Sequence, residues 1–196
     1  MKKKIIIISV ILVLLGIISF CLYQNDSIRF KISYEYINMV EYNNGKKIKI
    51  SIPYDNRIKY LNEDNIMKYL KEETGIFYFG YNTCPWCRNA IPVLIDTVKE
   101  NNIKTIYYID IHKINISNIK KELFEYLGDN LREDEEGNKG LAVPDVYFIK
   151  EGKIIGNHIG TVDSYYNPYK EMTNAQKEEL SNIYESFIKE MKLWKI

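Results

Sequence analysis

The chain has 196 residues, 46% of them hydrophobic, and its 27 Lys and Arg against 26 Asp and Glu leave a formal net charge of +1. That size supports one buried core plus an appendage and excludes two large domains. The near-balanced charge shows no nucleic-acid footprint, and three cysteines, Cys21, Cys84 and Cys87, are too few for a disulfide framework.

The appendage comes first. Lys2, Lys3 and Lys4 precede nineteen uncharged residues, Ile5 to Tyr23. As a helix rising ~1.5 Å per residue, that run is about 28 Å long, close to the ~30 Å of a bilayer core. It exceeds a secretory h-region and no A-x-A-like site closes it, which favours an uncleaved anchor over a signal peptide. With lysines before the span and Gln24, Asn25 and Asp26 after it, residues 1–4 are expected in the cytoplasm. The C-terminal part is expected outside, in a single-pass protein of the cell membrane. Cys21 lies near the outer end, but Phe20 stands where a lipid-attachment signal wants a small residue, so Cys21 reads as an apolar residue in lipid.

Residues 24–56 read as a stalk or β-hairpin extension. Phe30, Ile32 and Tyr34 alternate with polar residues, and Asn44-Gly45 is a turn signal before Ile48, Ile50 and Ile52. From residue 57 onward strands and helices alternate. Arg57 to Leu61 reads as a short strand, and Asn62 as the cap of a helix with Ile66, Tyr69 and Leu70 on its buried face, ending at Gly75. Ile76 to Gly80 is apolar throughout, as a strand covered on both faces would be.

A helix then opens at the cysteines and continues through Ile91, Leu94, Ile95 and Val98 at i, i+3, i+4, i+7. Thr105 to Asp110 is the next strand, and Ile116, Ile119, Leu123 and Leu127 mark another helix. Arg132 to Gly140 is a polar loop whose acidic run, Glu133 to Glu136, reads as a solvated face. Val146–Ile149 and Ile154–Ile159 flank the hairpin signal Glu151-Gly152. An apolar stripe of Leu180, Ile183, Tyr184, Phe187, Ile188 and Met191 closes the chain as a helix from about Asn174. The order predicts an α/β fold over residues 57–196, with one mixed central sheet flanked by helices and the cysteines at the carboxyl end of a central strand.

The stretch YNTCPWCRNAIP, residues 81–92, carries the chemistry. Zinc needs about four ligands, and His112 and His158 lie at no ligand spacing from the pair, so no metal is expected. Covalent haem would need His where Arg88 stands. A static disulfide or plain burial is the bland alternative. Redox chemistry fits the local physics: with Cys84 at the N-cap and Pro85 at the first helical position, the N–H groups of Trp86 and Cys87 face the Cys84 sulfur. Together with the helix dipole and Arg88, these favour a thiolate. Cys84 is then the nucleophile, and Cys87, one turn later, the resolving thiol.

Three features resemble the thioredoxin superfamily over Arg57 to Met191: the C-x-x-C after an apolar strand, Pro92 within the following helix, and Ala142-Val143-Pro144 leading into Asp145 to Lys150. The resemblance implies a thioredoxin-like fold and a cis peptide before Pro144. It also implies a substrate groove shaped by Val143 and Pro144 beside Pro85 and Trp86. The segment YFGYNTCPWCRNAIPVL is most similar to membrane-anchored bacteriocin transport accessory proteins, which implies exported protein or peptide thiols as substrates and an extracytoplasmic or membrane redox partner. No dissociable cofactor is implied, and the direction of electron flow stays open. A non-catalytic accessory module of the same fold is the rival reading. The pattern departs from reducing thioredoxins, which usually carry a buried Asp six residues before the first cysteine. Tyr78 occupies that position here, so water or a nearby Glu would have to accept the Cys87 proton.

Overall fold

The structure is a computed structural model that describes residues 2–40 and 48–193, and within its helices the side chains of residues 2, 3, 5, 18, 19, 21–23 and 193 are not described. The Asn44-Gly45 turn and the side chain of Cys21 therefore lie outside the described residues.

Lys2–Tyr23 form one helix, α1, whose described apolar side chains are exposed, from Ile11 at 50% to Phe20 at 66%. The membrane span expected there is not shown: among the described residues no helix is long and apolar enough to cross a membrane.

The next segment departs from the expected strand. Asp26–Tyr36 are helical (α2), capped by Asn25, whose side chain accepts the Ile28 N–H at 3.1 Å. The alternation of Phe30, Ile32 and Tyr34 misleads because Phe30 and Tyr34 are also one helical turn apart. They stack at 4.2 Å and are fully buried, while Ile32 is 57% exposed. Asp26–Arg29 and Lys31–Glu35 pairs reinforce the helix at i,i+3 and i,i+4. The segment is tied together by Lys31 donating to the Ile52 carbonyl, Glu35 accepting the Ile52 N–H, and Asn38 exchanging two hydrogen bonds with the Ile50 backbone. It packs on the main domain, where Asp26 accepts the Tyr60 N–H at 3.0 Å.

The remaining elements follow the expected order. They are β1 (Ile58–Tyr60), α3 (Glu63–Glu72), β2 (Gly75–Gly80), α4 (Pro85–Glu100), β3 (Ile106–Asp110) and α5 (Ile116–Leu127). A short hairpin of β4 (Arg132–Glu133) and β5 (Lys139–Gly140) leads to β6 (Asp145–Lys150), β7 (Lys153–Ile159) and α6 (Asn174–Leu193). The sheet is five-stranded in the order β1-β3-β2-β6-β7. β1, β3 and β2 run parallel, and β6 and β7 join antiparallel. The region expected to be a plain loop is thus a small hairpin, held by Asp134, which accepts the N–H groups of Glu136 and Asn138. α3 stops at Glu72, and Gly75 opens β2 rather than closing the helix.

β2 is buried along its whole length, and period-two alternation sends its side chains to two cores. Ile76 and Tyr78 join Ile106, Tyr108, Val146 and Phe148 under α2, α4 and α6. Phe77 and Phe79 join Tyr107, Ile109, Tyr147 and Ile149 under α3 and α5. α2 contributes Phe30 and Tyr34 to the first core, edge-on to Tyr108 at 5.0 and 6.2 Å. The β6–β7 turn needs positive φ at Glu151 and Gly152. Gly152 alone fits its place, since a Cβ there would run into the Lys71 carbonyl.

Phe30→Ala is expected to lower global stability by about 3 kcal/mol in one cooperative transition. Urea unfolding followed by circular dichroism and by tyrosine fluorescence checks this, and two separate transitions would mean that α2 is not part of the core.

Candidate active site

Cys84 and Cys87 meet at the carboxyl end of β2, as expected, where the chain turns into α4. The turn closes with the Cys84 N–H donating to the Tyr81 carbonyl at 3.2 Å. Cys84 is the N-cap, with extended backbone (φ −67°, ψ 118°), and Pro85 takes the first helical position. This geometry lets the Cys84 sulfur accept the Cys87 backbone N–H at 3.2 Å, satisfying one of the orphan donors of the first turn.

Both cysteines are free thiols, and both are covered, Cys84 at 3% exposure and Cys87 at 0%. Their environments push them apart. The Cys84 thiol is drawn below its ordinary range, first by the Cys87 thiol and then by the backbone N–H groups of Cys87 and Trp86, against the cost of burial. The Cys87 thiol is pushed well up, chiefly by burial and then by Cys84 itself. The surroundings thus favour charge on the Cys84 sulfur and oppose it on the Cys87 sulfur.

Arg88 does not serve the thiolate as expected. Its guanidinium is buried and turned toward the N-terminal extension, donating to the carbonyls of Tyr34 (2.8 Å), Asn82 (3.2 Å) and Ile48 (3.1 Å) and to Asn38 Oδ1 (2.6 Å). Asn82, two residues before Cys84, donates to the Ser33 carbonyl and hydroxyl. Both flanks of the cysteine motif are thus pinned to Ser33, Tyr34, Asn38 and Ile48, a role that composition and spacing gave no reason to assign.

The expected groove residues lie beside the cysteines. The Val143–Pro144 peptide is cis, and the Val143 carbonyl stands 4.0 Å from the Cys84 sulfur. Trp86 packs edge-on against Tyr165 at 5.5 Å. Tyr165 belongs to a connection between β7 and α6 that was unread in the sequence. Asn89 straps this connection to α4 by donating to the Pro168 carbonyl and accepting the Met172 N–H. On another side His112 stacks on Tyr81 at 3.7 Å. Pro92 lies within α4, where it removes one helical N–H.

Asp145, next to Pro144, is a second missed residue. Its carboxyl is fully buried; one oxygen accepts from Asn157 at 3.0 Å and the other has no hydrogen-bond partner. Desolvation raises it to about 7.

Sheet order, a dithiol at the end of the central strand and a cis proline beside it together make a thioredoxin-like α/β arrangement. No protein-family profile and no curated protein sequence matches the chain. Among solved structures it is similar to thioredoxin O1 from Arabidopsis thaliana in the oxidized state, at 23% identity and a TM-score of 0.43, over 67% of this chain and 97% of that one. It is also similar to thioredoxin O2 from Arabidopsis thaliana in the oxidized state (21%, TM-score 0.42, 67% and 94%). Thioredoxin from Aeropyrum pernix is a third (22%, TM-score 0.36, 66% and 90%).

A carboxyl that holds its proton in the folded state up to about 7 makes stability fall as pH rises from about 4, its unfolded value, through that range. Asp145→Asn is expected to remove this dependence. The variant should be more stable than the parent by about 4 kcal/mol at pH 8, with the gap closing toward pH 4. Denaturant unfolding across that range measures it, and parallel curves for the two proteins would refute it.

Proposed function

We propose that this chain is a thiol-disulfide oxidoreductase acting on protein or peptide thiols, with Cys84 as the nucleophile and Cys87 as the resolving thiol. The observation that carries it is the Cys87 N–H donating to the Cys84 sulfur at 3.2 Å. That bond stabilises a thiolate at Cys84 while the neighbouring thiol stays protonated. The Cys84 sulfur attacks one sulfur of a substrate disulfide, and the other leaves with the electron pair, giving a mixed disulfide. Cys87 then attacks the Cys84 sulfur and loses its proton. The mixed disulfide breaks, the second substrate thiol departs, and the Cys84–Cys87 disulfide remains. The reverse sequence oxidises substrate dithiols with the same atoms.

Val143 and Pro144 are proposed to line the substrate groove, with Pro85 and Trp86 on the opposite lip. The Val143 carbonyl at 4.0 Å from the reactive sulfur supports this, because an extended peptide pairing there would bring its own sulfur alongside. Trp86, braced by Tyr165, offers a rigid apolar contact.

We further propose that residues 5–23 tether the protein to the membrane with the dithiol outside the cytoplasm, where exported peptides are its substrates and an extracytoplasmic or membrane partner recycles the pair. Three lysines before the apolar run and the exposed apolar side chains of α1 support the tether.

Cys87→Ser is expected to accumulate mixed disulfides through Cys84 that vanish on reduction and do not form when Cys84 is also replaced. Non-reducing electrophoresis after acid quenching reads them, and their absence would favour a non-catalytic module. Protease added outside intact cells is expected to digest residues beyond 23; full protection would place the dithiol inside.

A further inference from the structure

Arg88 is 2% exposed, and its Nε is buried without a hydrogen-bond partner. Every hydrogen bond of its guanidinium goes to an uncharged oxygen. A buried cation met in this way is a poor device for stability, because an apolar side chain of similar reach fills the same space without the desolvation. The placement of its donors gives the residue another use.

Those donors hold the chain on both sides of the first cysteine's turn. The Arg88 backbone N–H donates to the Cys84 carbonyl at 3.0 Å, and Nη1 of the same residue reaches back to the Asn82 carbonyl at 3.2 Å. Nη1 also meets the Tyr34 carbonyl at 2.8 Å, while Nη2 meets Asn38 Oδ1 at 2.6 Å and the Ile48 carbonyl at 3.1 Å. The points of attachment are firm, since Tyr34 and Ile48 are buried and the Tyr34 ring stacks on Phe30. A planar fork of donors can serve several acceptors at once, which an ammonium group on a flexible stem cannot do. A second arm does not use the guanidinium: Asn82 Nδ2 donates to the Ser33 carbonyl at 3.1 Å and to its hydroxyl at 2.9 Å. Together the two arms fix the angle at which the chain enters α4. That angle decides whether the Cys84 sulfur meets the Cys87 N–H, 3.2 Å away, because a cap bond depends on the backbone of the cap residue and weakens steeply off its preferred geometry.

We propose that Arg88 is a positioning residue for the nucleophile: by tying Asn82 and the head of α4 to Tyr34, Asn38 and Ile48, it keeps the Cys84 sulfur on the Cys87 N–H. The inference rests on the dithiol function proposed above. It makes three residues far away in sequence part of the control of Cys84, with no contact to its sulfur.

The test follows the full-length reduced protein in detergent as it reacts with dithiobis(nitrobenzoate), a disulfide whose first coloured thiolate leaves when the Cys84 sulfur attacks. The rate is measured across the range in which thiols titrate, for Arg88→Met, Arg88→Lys and Asn82→Ala. The titratable groups that bear on the Cys84 sulfur, Cys87 and Tyr78, are the same in all three. Arg88→Met should slow the release near neutral pH about tenfold, the loss expected of a hydrogen bond to a charged group, and move the profile to higher pH. Arg88→Lys keeps the charge without the fork, so it should follow the methionine variant. Asn82→Ala changes no charge and should shift the profile the same way by a smaller amount. Circular dichroism checks that each variant is folded, and if the Arg88 variants are not, Asn82→Ala decides. Folded variants with the unsubstituted rate and profile would overturn the proposal, leaving Arg88 a role in stability alone. So would a lysine variant that matches the unsubstituted protein while the methionine variant does not, which marks an effect of charge through space. If the unsubstituted protein itself releases no coloured thiolate, the dithiol function fails and the proposal with it.

Discussion

One hydrogen bond, from the Cys87 backbone to the Cys84 sulfur, organises the site. It exists because the N-cap of α4 is a cysteine, so the first turn satisfies one of its own orphan donors in a way that favours negative charge on sulfur. The same turn carries Cys87 beneath the helix, where burial opposes charge. A single local geometry therefore gives two identical side chains opposite proton preferences, the asymmetry on which the proposed two-step exchange rests.

The rest of the fold fixes where this turn sits. β2, buried on both faces, delivers the chain to the motif, and β6 brings Val143 and Pro144 alongside. The N-terminal segment adds a clamp through Asn82 and Arg88, one just before the motif and one just after it. Such clamping restricts the first turn of α4 through its flanking residues and narrows the range of positions open to the two sulfurs.

The alternation of strands and helices from residue 57 was legible because each element has a strong period: two-sided apolar runs for β2, an i, i+3, i+4 stripe for α4 and α6. The dithiol and Pro144 were legible because their residue types and spacing have few other uses. The segment before residue 57 was not. Phe30, Ile32 and Tyr34 satisfy a period of two and, through Phe30 and Tyr34, a period near four; only the Asn25 cap and the flanking ion pairs decide between them. Arg88 and Asp145 were opaque for another reason. Their roles depend on partners at Ile48, Asn38 and Asn157, which no local pattern discloses, and the connection carrying Tyr165 has no periodicity at all.

Arg88 has a consequence for how this molecule can be divided. Its buried cation is met by uncharged oxygens, and those from Tyr34, Asn38 and Ile48 belong to the chain before residue 57. A fragment begun at the first strand of the sheet would strip those acceptors away and strand a guanidinium, half-dry, one residue from a buried thiol. What looks like a linker ahead of a self-sufficient unit is thus the dielectric lining of its reactive end.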